Sequence, residues 1–133
     1  MVEPAFSPSG WTEAIAADIA VIADGDTPLD WYQAAVVSMQ LGAMSVLIAG
    51  RRVGTVLWKV DQEAGERCFV IVAAVGRARD FDLTRTVLPR LESFAQCLQC
   101  KRLRFHTQRK GLVEKARHAG YGEAEYVMRK RFA

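Results

Sequence analysis

The sequence predicts an α/β (α+β) fold: a mixed, mainly antiparallel sheet flanked by about four helices. Three apolar, β-branched-rich runs at 43–49, 53–60 and 67–75 are separated by the short connectors Gly50-Arg51-Arg52 and Asp61 to Glu66, which is the spacing of antiparallel hairpins. Two amphipathic helical patterns precede these runs and two follow them. With 133 residues, 50% hydrophobic and 25% charged, 10 Gly and only 4 Pro, the chain is the size of one domain spanning 1–133. That composition excludes a disordered, collagen-like or linker-dominated protein.

Trp11, Ile15, Ile19 and Ile22 recur at helical spacing behind Ser9, a candidate cap. In Thr27-Pro28-Leu29-Asp30 a Thr at the cap precedes Pro at the first helical position, and Leu29, Tyr32, Val36 and Met39 continue as an apolar stripe. Cys68 to Val75 is almost continuously apolar, as expected of a strand buried on both faces inside a sheet. Gly76 to Asp82 then leads into a helix with Val87, Leu91, Phe94 and Leu98 on one stripe, and Asp80 or Asp82 is a candidate N-cap for it. A short strand is expected at 103–107 and a short helix at 109–119. Gly120, lacking a Cβ, suits the left-handed position that ends that helix. The last segment alternates, with Ala124, Tyr126, Met128 and Phe132 on one side and Glu125, Arg129 and Arg131 on the other, which predicts a closing strand. The expected order is α-α-β-β-β-α-β-α-β.

Charge is unevenly distributed. The whole chain carries +3, but residues 101–133 hold ten basic against three acidic side chains, net +7, while residues 1–100 carry −4. An electropositive end suits a phosphate-bearing ligand or a solvated basic face. Nucleic acid is not expected as a partner: Arg102, Arg104 and Arg129 interleave with Phe105 and Tyr126, yet no helix-turn-helix, zinc-finger or aromatic sheet motif accompanies them. No apolar run approaches the ~18–20 residues that cross a bilayer, and Met1-Val2-Glu3-Pro4 lacks a signal pattern. No membrane association and a cytoplasmic location are therefore expected. Cys97 and Cys100 form a C-x-x-C, but a zinc site needs two further ligands and His106 and His118 are not a pair at ligand spacing. At the end of a helix the dipole also disfavours thiolates. No metal is expected.

Lys101-Arg102-Leu103-Arg104-Phe105-His106-Thr107, then Gly111 to Gly120-Tyr121, then Tyr126-Val127-Met128-Arg129-Lys130 resembles the closing strand, short helix and strand of the GNAT acyltransferases. The likeness extends over Arg67 to Phe132, and over the first half by element order, with a further opening strand implied near residues 1–8. The size is similar to that of small GNAT-like proteins of tailed bacteriophages and prophages. The resemblance implies that acetyl-coenzyme A (acetyl-CoA) binds in a splay between the central strand and the next, parallel strand, and that the acetyl group passes to an amine acceptor.

On that resemblance Val72 to Val75 hold the pantetheine arm, and Val75, Gly76, Arg77, Arg79, Arg109 and Lys110 meet the cofactor and its phosphates. The family's pyrophosphate loop, [Gln/Arg]-x-x-Gly-x-[Gly/Ala], falls on Arg77-Ala78-Arg79-Asp80-Phe81-Asp82, where aspartates stand at both glycine positions. Carboxylates there oppose phosphates and block close approach of the backbone. The family's catalytic Tyr, four residues before the terminal Gly of the short helix, falls on Ala116. The candidates for proton transfer are His106, Glu66 at the leading edge of the central strand, and Tyr126; Tyr121 stands at a packing position. Two functions stay open on these residues: an acetyl-CoA-dependent N-acetyltransferase, or a non-catalytic GNAT-like interaction protein that pairs with itself or another protein and binds no CoA.

Overall fold

The structure is a computed structural model that describes residues 3–77, 83–107 and 109–132. Among the described residues, nine elements follow in the order β1 (Ala5–Ser9), α1 (Glu13–Ala20), α2 (Leu29–Val37), β2 (Gly42–Ile48), β3 (Arg51–Glu63), β4 (Glu66–Gly76), α3 (Leu83–Cys97), β5 (Arg102–Phe105) and α4 (Lys110–His118). The strands form one sheet in chain order, β1-β2-β3-β4-β5, antiparallel except for the parallel pair β4–β5. A parallel neighbour needs a crossover, and α3 supplies it. The described residues contain no helix long and apolar enough to cross a membrane.

The hairpins are tighter than their connectors suggest. Ala49-Gly50 and Ala64-Gly65 are two-residue turns with positive φ at both positions (53° and 78°, 51° and 82°), the primed geometry that matches strand twist. Arg51, Arg52 and Asp61 to Glu63 consequently belong to β3. Helix starts also differ from expectation. The Thr12 hydroxyl, rather than Ser9, caps α1 by accepting from the Ile15 amide at 3.2 Å. Pro28 occupies the cap of α2, because the Asp24 carboxylate has already folded the preceding loop by accepting from the amides of Asp26 and Thr27. Gly120 has the expected left-handed conformation (φ 92°), and the amides of Gly120 and Tyr121 return to the carbonyls of Arg117 and Ala116.

Two apolar layers sandwich the sheet. On one face Ile15, Ile19, Tyr32, Ala35 and Val36 of α1 and α2 bury Leu57 and Ala73. On the other, Val87, Leu91 and Ala95 of α3 cover Met44, Val56 and Phe69, and Trp58 stacks on Phe69 at 5.3 Å. Cys68, Phe69 and Val70 are consecutive buried residues, so this part of β4 is covered on both faces.

The expected closing strand does not form. Residues 121–132 have no regular secondary structure, and Tyr126, Met128 and Phe132 are 86%, 94% and 82% exposed. Alternation sorts side chains onto two sides, but a strand needs a hydrogen-bonding neighbour, and this segment runs instead to the α1–α2 loop. There Arg129 and Arg131 reach the Asp26 carboxylate at 3.4 and 2.9 Å.

Candidate functional site

The sheet opens where β4 and β5 separate. Their parallel register runs Cys68↔Arg102, Phe69↔Leu103, Val70↔Arg104 and Ile71↔Phe105, then ends, although β4 continues to Gly76. Among the described residues, Ala73 to Gly76 have a strand partner on the β3 side alone, and Val72 falls at a bulge between the Ile71–Trp58 and Ala73–Leu57 pairs. Gly54 keeps that half of β4 close to β3, since a Cβ on it would collide with the Val75 carbonyl. His106 is the first residue beyond the last β4–β5 pair, so its backbone stands at the fork. It is exposed, and its Nε2 lies 3.5 Å from an oxygen of Glu125, a residue that no motif singles out.

Arg77 leaves the end of β4 with its amide bonded to the Val53 carbonyl at 2.8 Å. Its guanidinium turns back to Asp18 (Nη2–Oδ1 2.5 Å), which lies fully buried on α1. The other Asp18 oxygen accepts from Arg52 Nη1 at 2.8 Å and from the Thr55 hydroxyl at 2.7 Å, while Arg52 Nε donates to the Ser45 hydroxyl at 2.9 Å. This cluster ties α1 to β2, β3 and the end of β4. A buried carboxylate persists only when such partners replace its water.

Arg109 caps α4 and Lys110 opens it. Both are exposed, and among the described residues neither has a carboxylate partner. Most of the other cations of the basic end are paired. Arg102 bridges Glu63 and Glu66, Arg104 bridges Glu63 and Asp61, and Arg117 bridges Glu114 and Glu123. Hydrogen bonding from Arg104, above all, holds the Glu63 carboxyl below its ordinary range. Burial pushes the Cys68 thiol beneath this ladder upward.

The structure therefore brings Val75, Gly76, Arg77 and His106 to one end of the sheet and separates them from two other candidates. Glu66 begins β4, at the opposite end of the strand, where Arg102 engages it. Tyr126, expected to face inward from a last strand, projects into solvent and donates to Glu123 at 2.9 Å, because the segment carrying it has no sheet to face. Arg79, Asp80 and Asp82, with Ala78 and Phe81 of the pyrophosphate-loop match, lie outside the described residues. Tyr121 is a packing residue: its ring meets Phe105 at 5.9 Å and its hydroxyl donates to Glu92 at 2.7 Å. Burial, reinforced by that carboxylate, raises its pKa well above the ordinary phenol value. Cys97 is exposed and Cys100 buried, and no group of three or more His, Cys, Asp or Glu among the described residues could hold a metal.

No protein-family model matches the chain, and no curated protein matches it in sequence. Solved structures do. An aminoglycoside N-acetyltransferase in complex with CoA superposes with a TM-score of 0.70 at 14% identity, over 99% of this chain and 96% of its own. A ribosomal-protein-alanine N-acetyltransferase from Brucella melitensis biovar Abortus gives 0.66 at 15% identity over 96% and 99%. Glucosamine-6-phosphate N-acetyltransferase from Arabidopsis thaliana gives 0.66 at 10% identity over 97% and 99%. Such identities carry a shared architecture rather than a shared activity. Opening strand, two helices, three-stranded meander, crossover helix, forked parallel pair and short helix together give this chain the GNAT fold, shared with these structures.

Proposed function

We propose that the protein is an acetyl-CoA-dependent N-acetyltransferase whose cofactor lies along the open half of β4 and whose general base is His106. The parting of β4 and β5 after the Ile71–Phe105 pair carries this reading. Backbone N–H and C=O groups that lack a strand partner are matched by an extended, amide-bearing chain, and the pantetheine arm is one. The charges suit the rest of the cofactor. Arg109 and Lys110, free of carboxylates at the start of α4, are placed to meet phosphates, with the helix N-terminus adding favourable polarity. Arg77 remains 57% exposed while it holds Asp18, so one edge of its guanidinium is left for an anion beside Gly76.

Acetyl-CoA, when bound, supplies an acyl carbon activated as a thioester. His106 accepts the proton of the acceptor's ammonium group and frees the nitrogen lone pair to attack. Glu66 is held at the far end of β4, and Tyr126 lies out in solvent, so neither serves in this scheme.

Replacement of His106 by Ala should lower turnover of an amine acceptor by about a hundredfold to a thousandfold while leaving the affinity for acetyl-CoA unchanged. The Glu66→Gln variant should keep wild-type turnover. Equal activity of wild type and His106→Ala across a panel of amines, followed by release of free CoA thiol, would remove His106 from the mechanism.

A further inference from the structure

The segment 123–132 makes little use of its apolar side chains; beyond the Glu123–Arg117 pair that joins its start to α4, it is tied down at two separate points. One is the contact of Glu125 with His106 Nε2 at the fork. The other is the α1–α2 loop, where Arg131 donates to the Gly25 carbonyl at 3.2 Å and, with Arg129, pairs with Asp26. These anchors belong to elements on either side of the open half of β4. His106 continues β5, whereas Asp26 lies in the loop leaving α1, whose residues Ile15 and Ile19 pack with Ala73 and with the partly buried Val72 and Val75. The segment thus bridges from the sheet edge to the helical layer beside the fork. Its hold is ionic: Asp26, Arg129 and Arg131 are 46%, 64% and 70% exposed, and Tyr126, Val127, Met128 and Phe132 stay outside both apolar cores. Exposed ion pairs are weak and screened by salt, and contact through them alone is readily reversed.

We propose that residues 123–132 are a releasable strap: the Asp26 latch docks it across the fork, docking places Glu125 on Nε2 of the half-exposed His106 ring, and release frees that nitrogen for the incoming acceptor. The functional meaning of the strap rests on the acetyltransferase reading, but its docking does not. Arg131 leads the lowering of the Asp26 pKa, with Arg129 adding to it, as expected of a carboxylate held by a latch.

Carbethoxylation of His106 by diethyl pyrocarbonate, read by mass spectrometry at fixed neutral pH, tests the strap without any cofactor. His118, exposed in the last turn of α4, is the internal reference. Asp26→Asn should raise the His106 rate several-fold relative to His118, and added salt should do the same in the wild type. Charge reversal by Asp26→Arg with Arg129→Asp and Arg131→Asp should restore the slow rate. An unchanged His106-to-His118 ratio in Asp26→Asn, or no recovery in the reversed protein, overturns the proposal. Absence of acetyl-CoA binding would instead defeat the acetyltransferase reading, leaving the strap to stand on the histidine rates.

Discussion

Asp18 is the polar side chain on which the open end of the sheet depends most. It is fully buried, and it neutralises Arg52 and Arg77 while accepting from Thr55. Removing one partner of a buried ion pair leaves uncompensated charge and costs on the order of 3 kcal/mol. Asp18→Asn should lower unfolding stability by about that amount in urea titration. Arg77→Ala, whose side chain is mostly solvated, should cost less than about 1 kcal/mol. Equal losses in the two variants would show that the carboxylate is not the hub. Residue type did not announce this role, because an acid on a helix ordinarily reads as solvated surface. A signal was nevertheless present: Asp18 falls between Ile15 and Ile19 on the buried stripe of α1, where an acid requires buried partners. His106, by contrast, was legible as a candidate from its chemistry and its place at a strand end. Glu125 was not, since its contact with His106 depends on where the last segment runs.

The strands and helices were legible where side-chain pattern alone decides them. Apolar β-branched runs mark β2, β3 and β4, and the long stripe Val87-Leu91 marks α3. Boundaries were obscured where backbone conformation decides. The left-handed alanines that let β3 run to Glu63 belong to a residue type with no preference for positive φ. Ala64, exposed at a φ of 51° in the β3–β4 turn, therefore carries strain that Asn tolerates better. Ala64→Asn should raise stability by about 0.5 kcal/mol in chemical denaturation with an unchanged denaturant slope. A loss of stability would mean that the turn is not the primed type. The closing segment failed as a strand for a different reason: pairing is a property of two chains of backbone, and ionic attraction to Asp26 takes this one elsewhere.

Across the whole molecule, the +7 of residues 101–133 is largely answered by acids from the first hundred, Asp26, Asp61, Glu63 and Glu66 among them. Sequence counting registers the imbalance but not this pairing, which the fold creates by laying β5 beside the β3–β4 hairpin and the last segment against the α1–α2 loop. Among the described residues of this end, Lys101, Arg109, Lys110 and Lys130 have no carboxylate partner, and of these Arg109 and Lys110 stand together at the start of α4. On the proposed function, the forked strand pair with Arg109 and Lys110 forms one site for an extended anionic thioester. Isothermal calorimetry of the wild-type protein with acetyl-CoA tests it directly. One saturable site is expected, its affinity falling as ionic strength rises and falling further when Arg109 and Lys110 are both changed to Ala. No heat at millimolar cofactor, with the protein shown to be folded, would contradict it.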